Sequence, residues 1–369
     1  MGLMWQSVPS FASPRVRIFV SEFISSGAMS GTPLPISLLR EGRAMLVAIV
    51  ADLIAIPGCE VSTTLDRRLV GGFPRRPNDP LHVWAIDNVE AEKIAFDRLV
   101  GEAVATLVIA PETDRVLTRR VQRVHDLGSK SLNCLPTAIE ICGDKQQLAN
   151  HFAASGIATI PTQPAPPDEI EPWDLLGTSC VMKPRDGAGS WLTFAIPYRD
   201  SIAWKHARNE FAIAGAADRA IIQPWIAGRN LSVGCVCHDS GRIEVLPIAC
   251  QHLSGSTFQY QGGTIPADIQ PSMIAVIEQL VLDACATITG LRGYIGIDLM
   301  LPDNDPVSPL IVEINPRLTT SYVGYRQLCH DNIAERLLQR ETPVLFEPLQ
   351  WKSESVGFQA NDQELSDAE

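Results

Sequence analysis

Asp298, Glu313 and Asn315 are the residues of this 369-residue chain whose types and spacing most directly suggest chemistry. Apolar runs at 294–301 and 310–315 flank the turn-rich segment PDNDPVSP, a pattern that predicts a β-hairpin with an eight-residue loop. Pairing Leu301 with Leu310 sets Asp298 directly opposite Glu313, and Asn315 opposite Gly296. Opposed Cβ atoms lie about 4.5–5.5 Å apart, and like charges there are destabilising. Two carboxylates about 4 Å apart repel by about 4 kcal/mol at an effective dielectric of about 20. Something positive must offset that. Asn315 shares the face of Glu313, about 6.6 Å along the strand. Two carboxylates and an amide oxygen form a hard oxygen set suited to Mg²⁺. Either acid alone would read as part of a solvated sheet face; the three together indicate a metal site.

A second set lies far upstream. The segment CVMK is predicted as a short strand ending in Lys183, followed by Pro184 and the small-residue loop RDGAGS. Gly187 and Gly189 allow close backbone approach and positive φ, as a loop closing over phosphate requires. A plain hairpin turn is the alternative for the loop by itself, but a lysine at its base favours phosphate. It is not a Walker A loop, because Lys183 precedes the glycines. Asp144 is a good N-cap for a helix through Phe152, which puts Lys145 in a first turn where the helix dipole disfavours a cation.

The elements that must position these residues can be read in order. The run VRIFV at 16–20 predicts a buried parallel strand. A helix follows over 37–56, then strands over 60–65 and 82–86, a helix over 89–104 and a strand over 106–110. Alternation at this pitch indicates an α/β layer with a parallel sheet, and no G-x-G-x-x-G follows the first strand. A helix over 114–127 carries Arg115, Arg119, Arg120 and Arg123, expected to form a solvated face. The polar, aromatic stretch QHLSGSTFQYQGGTI at 251–265 is expected to be a mobile loop over a cleft. From Ser353 onward acids dominate, and a disordered tail is expected. The expected divisions are a leader at 1–14, an α/β domain at 15–114, a central region with a lid at 115–230, a C-terminal lobe at 231–345 and an acidic tail at 346–369.

Composition narrows the function classes. The formal charge of −12 argues against a nucleic-acid surface, which needs Lys/Arg arrays. The longest apolar run, 44–56, is broken by Asp52 and too short to span a bilayer. Nine cysteines lack paired spacing. Cys235, Cys237 and His238 lack the second ligand pair a zinc site needs, so buried thiols in a reducing cytoplasm are the better reading.

The two lysines, the glycine-rich DGAGS, the segment IIQPWI, the acid in GIDLM and the motif EINPR occur in the order found in ATP-grasp enzymes. The chain resembles that superfamily over about residues 115–340, and the preceding α/β layer resembles its Rossmann-like pre-grasp domain. EFISSG, LLREGRAMLVAIVADL, QYQGG and EINPRLTTSYVGYR are similar to the tyramine–glutamate ligase group of methanofuran biosynthesis and its bacterial relatives. The resemblance implies an α/β fold with α+β lobes, and ATP and one or two Mg²⁺ ions as cofactors, with Mn²⁺ as a substitute. It implies that Lys145 and Lys183 contact the ATP phosphates, with Gly187, Ala188, Gly189 and Ser190 closing over them. Gln223, Trp225 and Ile226 would line the adenine; Asp298, Glu313 and Asn315 would hold the metal; Arg317, with Lys183, would act on the transferred phosphoryl group. Many relatives place an acid for the ribose where this chain has Ala227, Gly228, Arg229 and Asn230, so the ribose contact has no candidate.

The implied reaction joins a small carboxylate to an amine through an acyl phosphate, with glutamate as donor and tyramine, tyrosine or a similar amine as acceptor. Tyr260, Tyr322, Tyr325 and Arg326 are candidates for substrate contacts, with core packing equally open for the aromatics. Two alternatives stand beside it: an amino-acid or peptide ligase with another acceptor, and a nucleotide-binding regulator without catalysis. The expected partners are the small substrates, with neither nucleic acid nor membrane; a homodimer is left open.

Overall fold

The computed structural model describes residues 16–167, 170–187, 189–254, 258–339 and 347–359. The leader at 1–14, Ala188 and the acidic end from residue 360 lie outside them.

Buried apolar strands alternating with helices build the first unit: β1 (Val16–Glu22), α1 (Ile36–Ala55), β2 (Cys59–Asp66), β3 (Leu81–Ile86), α2 (Val89–Glu102), β4 (Ala105–Ile109), α3 (Val116–Asp126) and β5 (Lys130–Ser131). The strands are parallel in the order β3-β2-β1-β4-β5, the doubly wound arrangement. Strand order reverses between β1 and β4, and the crevice at their carboxyl ends is where such sheets take ligands. Glu22 ends β1, and Glu112 follows β4.

Helices α4 (Pro136–Gly143) and α5 (Lys145–Ala154) lead into a small lid of β6 (Gln163–Pro164), α6 (Pro172–Leu176), β7 (Cys180–Pro184), β8 (Phe194–Ile196), α7 (Ser201–Ile213) and β9 (Ala220–Pro224). Its antiparallel sheet has the order β6-β9-β7-β8. The lid packs around its own core, including Met182, Trp204, Phe211 and Ile222.

The last lobe comprises β10 (Gly228–Cys237), β11 (Ile243–Val245), β12 (Ala249–Ser254), β13 (Gln259–Ile265), α8 (Pro271–Ala286), β14 (Gly293–Pro302), β15 (Leu310–Asn315), α9 (Ser321–Leu328), α10 (Ile333–Leu338) and β16 (Val356–Phe358). Its main sheet runs β15-β14-β10-β12-β13-β16, with β11 on β10. Helix α1 touches β1 and β2 on one side and α9 and α10 on the other, which explains why it is buried continuously over Gly42–Val50. The two large cores therefore each mix residues of the first unit and the last lobe.

Three expectations need correction. The stretch at 251–265 is mainly β12 and β13 of the sheet, because its residues pair with each other from Cys250↔Thr264 to Ser254↔Gln259. The tail is structured at Val356–Phe358, which pairs with Gly263–Ile265 and buries Phe358. The arginines of α3 are not uniformly solvated: Arg120 grips buried Glu92 at 2.6 and 2.8 Å and lies over Phe23 and Phe96. Among the described residues no helix is long and apolar enough to cross a membrane. All nine cysteines are free thiols, and His238 bonds Glu244 at 2.6 Å.

Candidate active site

The β14–β15 hairpin forms, and Asp298 stands opposite Glu313 with Gly296 opposite Asn315. At the turn end the register differs from the simple reading: Met300, not Leu301, pairs with Leu310. A bulge between the Asp298 and Leu299 pairs leaves Val312 as the extra residue on β15. Without it Ile311 would share the face of Glu313. With it Ile311 and Ile314 both enter the core, while Glu313 and Asn315 line a cavity of about 330 Å³. Asp298 accepts from Gln251 Nε2 at 2.8 Å and from Asn315 Nδ2 at 3.2 Å.

Two lysines face these acids. On β7, Met182 and Pro184 are buried in the lid, and Lys183 between them faces the cavity. Lys145 opens α5, whose N-cap Asp144 accepts from Gln146 and Gln147 and also grips Arg185. Its Nζ lies 3.3 Å from Glu313 Oε2 and donates to Gly187 O at 2.7 Å. The cation that the helix dipole disfavours is thus offset by a carboxylate. Burial drives both acids toward neutrality, but Lys145 and Lys183 outweigh it at Glu313 and hold that carboxyl below its usual range. Asp298 goes the other way, raised by burial and by the neighbouring Glu313 charge. Burial lowers Lys183 to about 8, against the pull of Glu313.

The loop after Lys183 reaches across the cleft. Ser190 donates to Phe258 O at 2.6 Å, tying it to the β12–β13 hairpin. Gly189 sits at φ +66°, and a Cβ there would meet Leu38 of α1 at 2.5 Å. Gln223, Trp225 and Ile226 line the same cavity. Gln223 is buried and donates to Thr162 Oγ1 at 2.7 Å. Trp225 is 41% exposed and its ring stands 5.6 Å from that of Phe258.

From the other side Arg317 enters the cavity, held by Glu112 through Nε–Oε1 at 2.9 Å and Nη2–Oε2 at 3.3 Å. Glu41 of α1 and Tyr260 of β13 complete this wall.

Comparison with known proteins identifies the domains. Residues 142–321 match the ATP-grasp domain and residues 59–139 the pre ATP-grasp 3 domain. The chain belongs to the ATP-grasp family. It is 26% identical over 325 residues to the tyramine–L-glutamate ligase of Methanocaldococcus fervens, covering 88% of this chain and 94% of that one. An ATP-grasp superfamily protein from Archaeoglobus fulgidus superposes with a TM-score of 0.65 at 23% identity, over 89% of this chain and 90% of that one. Biotin carboxylase from Campylobacter jejuni, solved as a β,γ-ATP complex, gives a TM-score of 0.70 at 14% identity, over 91% and 73%.

In this ATP-grasp chain the cavity gathers Lys145, Lys183, Gly187, Gly189, Ser190, Gln223, Trp225, Ile226, Asp298, Glu313, Asn315, Arg317 and Tyr260. Three other substrate candidates sit elsewhere. Tyr322 is fully buried and donates to Asp52 Oδ2 at 2.6 Å, while Arg326 holds Asp52 Oδ1 at 2.9 and 3.0 Å. Tyr325 is fully buried and bonds Pro247 O and Gly234 N. Their aromatic and cationic types suit an α1–α9 interface as well as a ligand, and the partner Asp52 is 270 residues away in sequence from Tyr322. Sequence reasoning missed Gln251, Glu112 and Glu41. Two signals existed: Gln251 opens the polar stretch expected over a cleft, and Glu41 is an acid beside a long apolar helical run.

Proposed function

We propose that this protein uses ATP to join a small carboxylate to a primary amine, with glutamate as donor and tyramine or a similar aryl-ethylamine as acceptor. The observation that carries the reading is the meeting, in one cavity, of Lys145 and Lys183 with Asp298, Glu313 and Asn315. Two ammonium groups suit a polyphosphate, and the opposed carboxylates need a cation between them. Lys145 already supplies one such charge to Glu313. The donor set of two carboxylates and an amide fits Mg²⁺. Asp298, Glu313 and Asn315 would hold it, and when bound it would neutralise charge on the phosphoryl oxygens.

The chain's own groups account for the rest. Lys145 and Lys183 orient the triphosphate, since phosphoryl transfer depends mainly on positioning and electrostatics. The donor carboxylate attacks the γ-phosphorus, ADP leaves, and the amine then displaces phosphate from the acyl phosphate. Arg317, fixed by Glu112, offers its charge to the phosphoryl oxygens. The loop at 185–190 and Phe258 exclude the water that would hydrolyse the intermediate. The choice of glutamate and tyramine rests on the likeness to the Methanocaldococcus enzyme over most of both chains, and would place the product on a route to a methanofuran-type cofactor. Nine free thiols suit a cytoplasmic enzyme. The test is ADP release with Mg²⁺–ATP, glutamate and a panel of amines, with products weighed by mass spectrometry. Amine-dependent ADP and a γ- or α-glutamyl amide are expected; AMP formation, or hydrolysis indifferent to every amine, would refute the reading.

A further inference from the structure

The carboxylates on the first unit's side of the cavity are not equivalent. Glu22, Glu41 and Glu112 all act on Arg317, which is one positive charge against three acids. Glu112 is bound to it in bidentate fashion. Glu22 is saturated otherwise: it accepts from Ile24 N at 3.0 Å, Ser25 N at 2.7 Å and Ser25 Oγ at 2.5 Å. It is also sealed by α1, since a Cβ on Gly42 would meet its carboxylate at 2.5 Å. Glu41 differs from both. It lines the cavity, and its one hydrogen bond among the described residues is from the exposed Ser37 hydroxyl at 3.3 Å.

Position strengthens the contrast. Leu38, one turn before Glu41 on the same helix face, abuts the lid at Gly189, so Glu41 lies just beneath the loop. The Tyr260 ring lines the same wall, within electrostatic reach of both Glu41 and Asp298, and its hydroxyl has no hydrogen-bond partner among the described residues. A carboxylate with spare acceptor capacity, beside an unpartnered hydroxyl and a cation already claimed by Glu112, is a receptor for a cation.

We propose that Glu41 receives the ammonium group of the acceptor amine, with Tyr260 as its neighbour; this rests on the ligase reading above. The ammonium passes one proton to Glu41. The freed nitrogen lone pair forms the C–N bond to the acyl phosphate carbon, the C–O bond to the phosphoryl group breaks, and phosphate leaves with that electron pair and the second nitrogen proton.

The experiment compares wild type and Glu41→Gln with two acceptors at pH 8: tyramine, which is cationic, and hydroxylamine, which is uncharged and gives a hydroxamate. The expected result is a loss of kcat/KM at least tenfold larger with tyramine than with hydroxylamine, with the KM values for ATP and glutamate within twofold of wild type. Equal losses with both acceptors would overturn the proposal and mark Glu41 as structural. A selective rise in glutamate KM with hydroxylamine as acceptor would assign Glu41 to the donor's ammonium instead. If wild type forms neither hydroxamate nor amide, the ligase reading itself falls, and this proposal with it.

Discussion

Arg317 and Glu112 join the two halves of the cleft through a bidentate ion pair, Nε–Oε1 at 2.9 Å and Nη2–Oε2 at 3.3 Å. The side chains are only 14% and 7% exposed, so neither charge is well hydrated alone. Removing one partner of a buried pair leaves the other charge uncompensated, typically at about 3–5 kcal/mol.

Glu112→Gln should therefore lower unfolding stability by about 3–5 kcal/mol in denaturant titration. It should also lower kcat more than it raises the KM for ATP, because Arg317 loses its anchor while the lysines stay in place. A variant as stable and as fast as wild type would mean that the pair neither braces the fold nor fixes the arginine.

Glu313→Gln should abolish measurable turnover without loss of fold, because it removes one of the opposed carboxylates and the partner of Lys145. Lys183→Ala should chiefly raise the KM for ATP. Steady-state kinetics beside circular dichroism check both; near-normal kcat/KM in either variant would remove that residue from the nucleotide site.

Phe358 fills a slot made by glycines. A Cβ at Gly324 would meet Phe358 Cδ1 at 2.5 Å, and one at Gly263 would meet Phe358 Cζ at 2.8 Å. An alanine in helix α9 would ordinarily gain about 0.5–1 kcal/mol over glycine, but overpacking costs about 1–3 kcal/mol. Gly324→Ala is expected to destabilise on balance. Phe358→Ala should cost about 3–5 kcal/mol, and the double variant should cost less than the sum, since removing the ring relieves the clash. Strict additivity in denaturant titrations would mean the two do not meet.

Asp66 gives a pH signature. It accepts from Arg68 Nε at 2.8 Å, Arg68 Nη2 at 2.7 Å and Ser30 Oγ at 2.7 Å. These bonds, Arg68 foremost, hold its carboxyl down at about 2. A lowered folded-state value stabilises the protein above the unfolded value of 3.8 and loses that contribution as pH falls toward 2. Asp66→Asn should flatten the stability curve in that window and lower stability at pH 7 by about 1–2 kcal/mol, the half-exposed Arg68 limiting the effect. An unchanged acid limb would refute the assignment.

What could be read in advance followed from period and chemistry. Counting from Leu301 opposite Leu310 gives the pairing of Asp298 with Glu313 and of Gly296 with Asn315, and the bulge offsets the one-residue difference at the turn end. The bulge at Val312 could not be read, because which isoleucine is buried depends on helices far away in sequence. Lys145 and Lys183 were legible as a lysine in a disfavoured helix turn and a lysine before glycines. Tyr322, Tyr325 and Arg326 lie beside EINPR in sequence, yet their partners Asp52, Gly234 and Pro247 come from other segments. Glu112 gave no local signal and Gln251 only its place in a polar stretch, since each acts through a residue that the fold brings to it. Residues 356–358 look like tail by composition, and the glycines that receive Phe358 give the segment its place.

The lid is the one part of the cleft whose interior is wholly its own. The α/β unit and the last lobe share their apolar interiors, so swinging one from the other would strip surface from both, with Tyr322 and Arg326 pulled off Asp52. Any opening of the cleft is therefore expected at the lid, whose core among the described residues is its own. The ties such an opening would break are polar: Lys145 to Gly187, Arg185 to Asp144, Arg219 and Asp186 to Asp114, and Ser190 to Phe258.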